Sequence, residues 1–158
     1  DTLPIEKPTR VRRTYRQFLS APPDQVFPLL CPVREVEWVE GWSPRLVVTE
    51  SGVAEPDCVF ITPDGDAEAT WTVTTYDPVE FVVGFVKVTP GQTVVTIEIR
   101  LHDGPDFNTA ADVSYTWTAL SSAGREIVAG KTAEEWEKFM RGWEDALNRY
   151  LATGAALR

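Results

Sequence analysis

The stretch Thr132-Ala133-Glu134-Glu135-Trp136-Glu137-Lys138-Phe139-Met140-Arg141-Gly142-Trp143-Glu144-Asp145-Ala146-Leu147-Asn148-Arg149-Tyr150-Leu151-Ala152-Thr153-Gly154 carries the strongest periodic signal in the chain. Thr132 followed by Glu135 is a capping box: the threonine caps the first turn, and the glutamate can reach back to the cap amide. Trp136, Phe139, Met140, Trp143, Leu147, Tyr150 and Leu151 then recur at spacings of three and four. That is one apolar stripe on a helix of about twenty residues. Glu134, Glu137, Lys138, Arg141, Glu144, Asp145 and Arg149 mostly take the other face, and Gly154 fits a C-terminal cap. At about 1.5–3 kcal/mol per large side chain, the stripe represents on the order of 10–20 kcal/mol of gross burial, as an upper bound. Such a helix must lie on something.

What precedes it is rich in strands. Arg10–Leu19 reads as a first strand that stops at Ala21-Pro22-Pro23, because proline donates nothing to a ladder. Asp24 is a good N-cap for a short helix over Gln25–Leu30, with Pro28 near the first turn. After Cys31-Pro32, a second short helical piece spans Val33–Glu40, with Val33, Val36 and Val39 every third residue. Six further strands follow: Arg45–Ser51, Asp57–Thr62, Ala67–Tyr76, Glu80–Val88, Gln92–His102 and Thr109–Ala119. Turn residues separate them, among them Pro63-Asp64-Gly65-Asp66 and Pro90-Gly91, and Ser121-Ser122-Ala123-Gly124 ends the last. Short connections argue for an antiparallel meander, since parallel strands need long crossovers. The expected fold is α+β: a curved antiparallel sheet of about seven strands around the long C-terminal helix, with two short helices after the first strand. Residues 1–9, with Pro4 and Pro8, read as an irregular lead-in to a single domain over 10–154.

Composition agrees and excludes several functions. A chain of 158 residues is one domain by length. Its 43% hydrophobic and 25% charged residues are ordinary for a globular protein. A formal net charge of -9 argues against nucleic acid as a partner, since phosphate binding needs a basic surface. No run approaches the roughly 18 apolar residues of a membrane span, so no integral membrane association is expected. Cys31 and Cys58 are too few for a disulfide scaffold, and one histidine, His102, assembles no common zinc pattern, so no metal or other cofactor is expected. The start Asp1-Thr2-Leu3-Pro4-Ile5 does not read as a signal peptide, and the end Ala155-Ala156-Leu157-Arg158 carries no lipidation motif. The expected compartment is the reducing cytoplasm.

The element order, together with Phe18-Leu19-Ser20-Ala21-Pro22-Pro23-Asp24-Gln25-Val26-Phe27 and Trp38-Val39-Glu40-Gly41-Trp42-Ser43-Pro44, resembles the helix-grip fold of the START and pollen-allergen superfamily, SRPBCC. The resemblance spans roughly residues 10–152. It implies a cavity between sheet and long helix. Most members bind apolar small molecules such as lipids, sterols, hormones or polyketides. Some are polyketide cyclases or dehydratases, and one branch acts as a co-chaperone. The fold does not choose among them.

Strand alternation picks out an inward face. It holds Trp71 and Val73, then Ile97 and Ile99, then Tyr115 and Trp117, and, on a strand apolar on both parities, Phe81 and Phe85. With Trp136, Phe139, Met140 and Trp143 from the helix, these are the expected ligand-binding residues. Tyr115 is the one ionisable group in the inward set, so binding of a hydrophobic or aromatic molecule, lipid-like or polyketide-like, is expected ahead of catalysis. The alternatives are a cyclase- or dehydratase-type enzyme using Tyr115 with a rim carboxylate, Glu35 or Glu37, and an interaction protein with a filled core. His102 falls on a polar parity and reads as a surface residue, Cys31 as a structural thiol. Lys7, Arg10, Arg12, Arg13 and Arg16 form a basic cluster on and before the first strand.

Overall fold

The computed structural model describes residues 3–154; the first two residues of the lead-in and the 155–158 terminus lie outside the described residues. Seven strands form one antiparallel sheet in the order β1-β7-β6-β5-β4-β3-β2. They are β1 (Arg10–Leu19), β2 (Leu46–Val48), β3 (Val59–Asp64), β4 (Ala67–Asp77), β5 (Val82–Thr89), β6 (Thr93–Asp103) and β7 (Thr109–Ala119). A one-turn helix α1 (Pro23–Val26) and 3₁₀ turns over Phe27–Leu29 and Arg34–Glu37 follow β1. Helix α2 (Ser122–Ala129) precedes the long helix α3 (Ala133–Thr153).

Alternation places the core as expected. Ala69 and Val73 on β4, Val95, Ile97, Ile99 and Leu101 on β6, and Ala111 and Val113 on β7 are all buried. The register joins them across strands: Ile97 lies opposite Tyr115 and Phe85, and Ile99 opposite Val113 and Val83. On α3, Met140 and Leu147 are fully buried and Trp136 nearly so, whereas Phe139 is 52% exposed.

Several local readings differ. Pro22, not Asp24, holds the N-cap position of α1, without a side-chain cap bond; Asp24 lies in the first turn, where its charge favours the helix dipole. The valine repeat of three is the period of a 3₁₀ turn, and the second short helix is one. β2 is shorter than Arg45–Ser51 because Glu55 gathers the backbone N–H groups of Glu50 and Ser51 and the Thr49 hydroxyl, closing the chain into a loop. Ser121-Ser122-Ala123-Gly124 starts a helix rather than ending in a turn. The Ser121 hydroxyl accepts the Gly124 N–H at 3.0 Å, and a Cβ on Gly124 would stand 1.9 Å from the Gln92 carbonyl oxygen. The glycine there is a close approach between α2 and the sheet, not a turn signal. In α3 only half of the capping box forms: Thr132 Oγ1 accepts the Glu135 N–H at 3.2 Å, while the Glu135 side chain lines a cavity.

Candidate functional site

Between the sheet and α3 lies a cavity of about 690 Å³. Its sheet wall is Phe60, Trp71, Phe85, Ile97, Ile99 and Tyr115; Phe139, Gly142, Trp143 and Ala146 of α3 face it. The third wall is the segment after α1, with Glu35, Trp38, Val39, Glu40 and Trp42. Glu40, Glu135, Lys138, Phe139 and Gly142 are solvent-exposed as well as cavity-lining, so they form the mouth.

The aromatic side chains are tied to one another and to the backbone. Phe60 stacks on Trp71 with centroids 5.1 Å apart, and Trp42 meets both edge-on. Trp38 stacks on Trp143 at 6.1 Å. Tyr115 touches Trp117, Trp136 and Phe139. Offset and edge-on pairs of this kind add about 0.5–1.5 kcal/mol each beyond area burial. Three indole N–H groups are satisfied away from the cavity: Trp38 donates to the Leu29 carbonyl, Trp42 to the Pro32 carbonyl and Trp71 to the Thr62 hydroxyl. The buried Trp143 indole N–H has no partner among the described residues, a cost of about 1–3 kcal/mol. The walls are therefore fixed rings.

The polar content departs from the sequence expectation. Alternation left Tyr115 as the one ionisable inward group, but Glu35 enters from the 3₁₀ turn, an element to which strand parity does not apply. Its carboxylate has no hydrogen-bond or ion-pair partner among the described residues. The residue is half-buried in the cavity wall, and desolvation pushes its pKa up to about 8. Burial, and then the nearby Glu35 charge, push the Tyr115 phenol well above its ordinary value.

Glu37, two residues on, is elsewhere. It accepts from the Tyr150 hydroxyl at 2.6 Å and pairs with Arg34, and those bonds hold its pKa down. It pins the 3₁₀ turn to the end of α3 and does not line the cavity.

Among the expected lining residues, Trp71, Phe85, Ile97, Ile99, Tyr115, Phe139 and Trp143 come together on the cavity wall. Trp117 and Trp136 line a smaller neighbouring hollow of about 260 Å³ that shares Trp71, Tyr115, Glu135 and Phe139 with the first. Lys87 and Lys131 border that hollow, each ammonium over a tryptophan ring, Trp71 and Trp117 respectively. Val73, Phe81 and Met140 line neither space. Val73 and Met140 are sealed in the core. Phe81 lies one residue before β5 begins, has φ 58, and packs against Phe27, 5.7 Å between centroids; the left-handed backbone there ends the strand alternation that would have aimed it at the cavity. Sequence reasoning missed Phe60, Trp38 and Trp42 as lining residues. Phe60 had a readable signal, an aromatic on an alternating strand next to Trp71.

The other singled-out residues lie outside the cavity. His102 Nε2 is 3.0 Å from Asp112 on the outer face, where Asp112 also pairs with Arg16. Cys31 and Cys58 are free and buried, and Cys31 Sγ accepts the Ala54 N–H. Arg10 bonds Thr118 across the β1–β7 pair, and Arg13 bonds the Lys131 carbonyl. No helix among the described residues is long and apolar enough to cross a membrane, and no cluster of three or more His, Cys, Asp or Glu is placed to hold a metal ion.

A strongly curved antiparallel sheet holding a long helix over an aromatic cavity defines a helix-grip protein. No family model matches the sequence, and no curated protein matches it. Solved structures do match. Ara h 8.0201 superposes with a TM-score of 0.65 at 13% identity, covering 91% of this chain and 99% of that one. Norcoclaurine synthase from Thalictrum flavum superposes at 0.66 with 9% identity, covering 92% of this chain and 88% of that one. DynU16, from the dynemicin biosynthetic locus, matches at 0.55 and 19% identity over 93% of this chain and 48% of that one. The chain thus shares the helix-grip fold of these structures. At these identities the likeness is one of fold.

Proposed function

We propose that the protein binds a hydrophobic or aromatic small molecule, lipid-like or polyketide-like, in the cavity between sheet and α3. The observation that carries this reading is the cavity itself: about 690 Å³, within the roughly 300–1,000 Å³ of small-molecule sites, and walled mainly by fixed aromatic rings. The open volume counts against an interaction protein with a filled core. A co-crystal of norcoclaurine synthase with dopamine and hydroxybenzaldehyde is among the matching folds, which lends the class of occupant support by analogy. Native mass spectrometry of the purified protein, followed by solvent extraction, tests the reading. A discrete extra mass that leaves on denaturation is the expected result. An apo mass, together with no uptake of any apolar dye, overturns it.

Glu35 supports a second reading, an enzyme of the cyclase or dehydratase type. A carboxyl that titrates near 8 holds its proton at neutral pH and can give it to a substrate carbonyl, beside a phenol, Tyr115, that stays protonated. Turnover of an aromatic-forming poly-β-ketone chain that fell at least a hundredfold in Glu35→Gln and Tyr115→Phe would establish it. Unchanged turnover in both variants would remove it.

A further inference from the structure

Glu35 is an odd group to place in a site built for neutral molecules. Nothing among the described residues pairs with its carboxylate, although Arg34 beside it is engaged by Glu37. The charged groups that face the cavity are Glu35 and Glu40 from the segment after α1, and Glu135 and Lys138 from α3; the sheet contributes none. Carboxylates outnumber ammonium groups three to one. The same cavity is walled by aromatic rings, among them Trp38, Trp42, Trp71, Tyr115 and Trp143, and Tyr115 stands close enough to Glu35 to feel its charge. Aromatic faces attract cations, most strongly where water is excluded.

We infer that the cavity takes an organic cation, an ammonium group carried on an apolar or aromatic body, with its charge held between the Glu35 carboxylate and the surrounding rings. This rests on the ligand-binding reading above. An anionic ligand would meet three carboxylates and one lysine. A neutral ligand without a polar group would leave Glu35 without a partner, and one with a hydroxyl or carbonyl would use the carboxyl but not the attraction of the ring faces for charge. A cation uses both the carboxylate and the rings. The proton balance is explicit: in the empty cavity Glu35 holds its proton at neutral pH, and entry of the cation releases that proton to solvent and leaves a carboxylate–ammonium pair. Affinity for a permanent cation therefore rises with pH until Glu35 is ionised without help, near 8.

The experiment uses one body with three heads: 4-phenylbutyltrimethylammonium, 4-phenylbutan-1-ol and 4-phenylbutyrate, each displacing the neutral dye Nile red from the protein. The ammonium probe is expected to bind at least tenfold more tightly than the alcohol at pH 8, and the carboxylate most weakly. Between pH 6 and pH 8 the affinity for the ammonium probe should rise at least tenfold, while that for the alcohol stays flat. Glu35→Gln should remove both the preference and the pH slope, and a cooperative urea unfolding transition shows that the variant is folded. If the alcohol binds as tightly as the ammonium probe, or if Glu35→Gln changes neither readout, the cation inference is wrong and the ligand-binding reading stands. If neither Nile red nor any of the three heads binds, both fall.

Discussion

Along the side of α3 that follows β1, every turn of the helix is tied down. Trp136 Nε1 donates to the Thr14 carbonyl, the buried Gln17 amide donates to the Met140 carbonyl, Glu144 accepts the Phe18 N–H at 2.6 Å, and Asn148 both accepts from Ser20 and donates to Phe18. Along the side that follows the cavity, the same turns present Phe139, Gly142, Trp143 and Ala146, and no such bonds. β1 is an edge strand, whose unpaired N–H and C=O groups are a pairing hazard. The helix covers that edge with side chains that mimic a neighbouring strand. The contrast teaches how an unfilled interior persists. A helix held only by apolar contact would settle into 690 Å³ of space, whereas one bonded to a strand edge keeps its distance from the opposite wall.

The comparison breaks most readily at its buried anchor. Met140 is fully buried on the tied side, so Met140→Ala should destabilise the fold by about 2–5 kcal/mol, read as a lower denaturant midpoint. The same substitution at Phe139, 52% exposed at the cavity mouth, should cost much less. Equal losses would mean that α3 has no privileged side.

Glu35 supplies the next largest effect, and it depends on pH. Its folded pKa, about 8, stands above the ordinary value of a carboxylic acid in an unfolded chain, about 4.3. Between those values the folded state binds the extra proton, so stability falls as pH rises from about 4.5 to 8 and levels off above. Cavity water screens part of the cost, which leaves about 2–4 kcal/mol. Glu35→Gln should match the wild type at pH 4.5 and exceed it by that amount at pH 9, in parallel urea titrations. A variant with the same pH slope as the wild type would show that Glu35 is solvated like any surface carboxylate.

The clasp itself ranks third. Glu144→Ala removes a charge-assisted bond to the Phe18 N–H and a second from the Tyr15 hydroxyl, and should cost about 1.5–3 kcal/mol. Amide exchange at Phe18 and Ser20 should accelerate more than exchange in β6 at the sheet centre. Uniform acceleration would place the loss in global stability and not at the edge.

The antiparallel meander from β2 to β7 was legible in its short connections, and the inward faces of β4, β6 and β7 and the stripe of α3 because each follows from a period, two or about 3.6, that backbone geometry imposes on side chains; the pairing of β1 with β7 carried no such signal. The site was legible where it is made of those faces: Trp71, Phe85, Ile97, Tyr115 and Trp143. It was not legible where position depends on the path of irregular chain. Glu35 could be named only as an alternative to Glu37, because both lie on a 3₁₀ turn and no periodicity says which side of such a turn meets a cavity. Glu144 looked like solvent-side charge because helical spacing cannot show that a strand edge lies beside it. Phe81 left the wall because it precedes β5 in left-handed backbone, where strand alternation does not apply.

Gly142 gives the smallest effect and bears most directly on what keeps the open side open. It sits in the middle of α3, where glycine costs about 0.5–1 kcal/mol relative to alanine. Its φ is not in the left-handed region, and a Cβ there would meet nothing within 4 Å. Neither backbone conformation nor close approach accounts for glycine here, yet the residue lines the cavity mouth. Gly142→Ala should raise stability by about 0.5–1 kcal/mol and leave dye binding nearly intact. Gly142→Leu should keep most of the helix gain while placing an isobutyl group across the opening, so dye uptake slows or fails in a protein at least as stable as the wild type. A leucine variant that binds Nile red at the wild-type rate would mean that entry lies elsewhere, by way of the smaller hollow between Lys87 and Lys131. The glycine would then be a helix defect without a role in access.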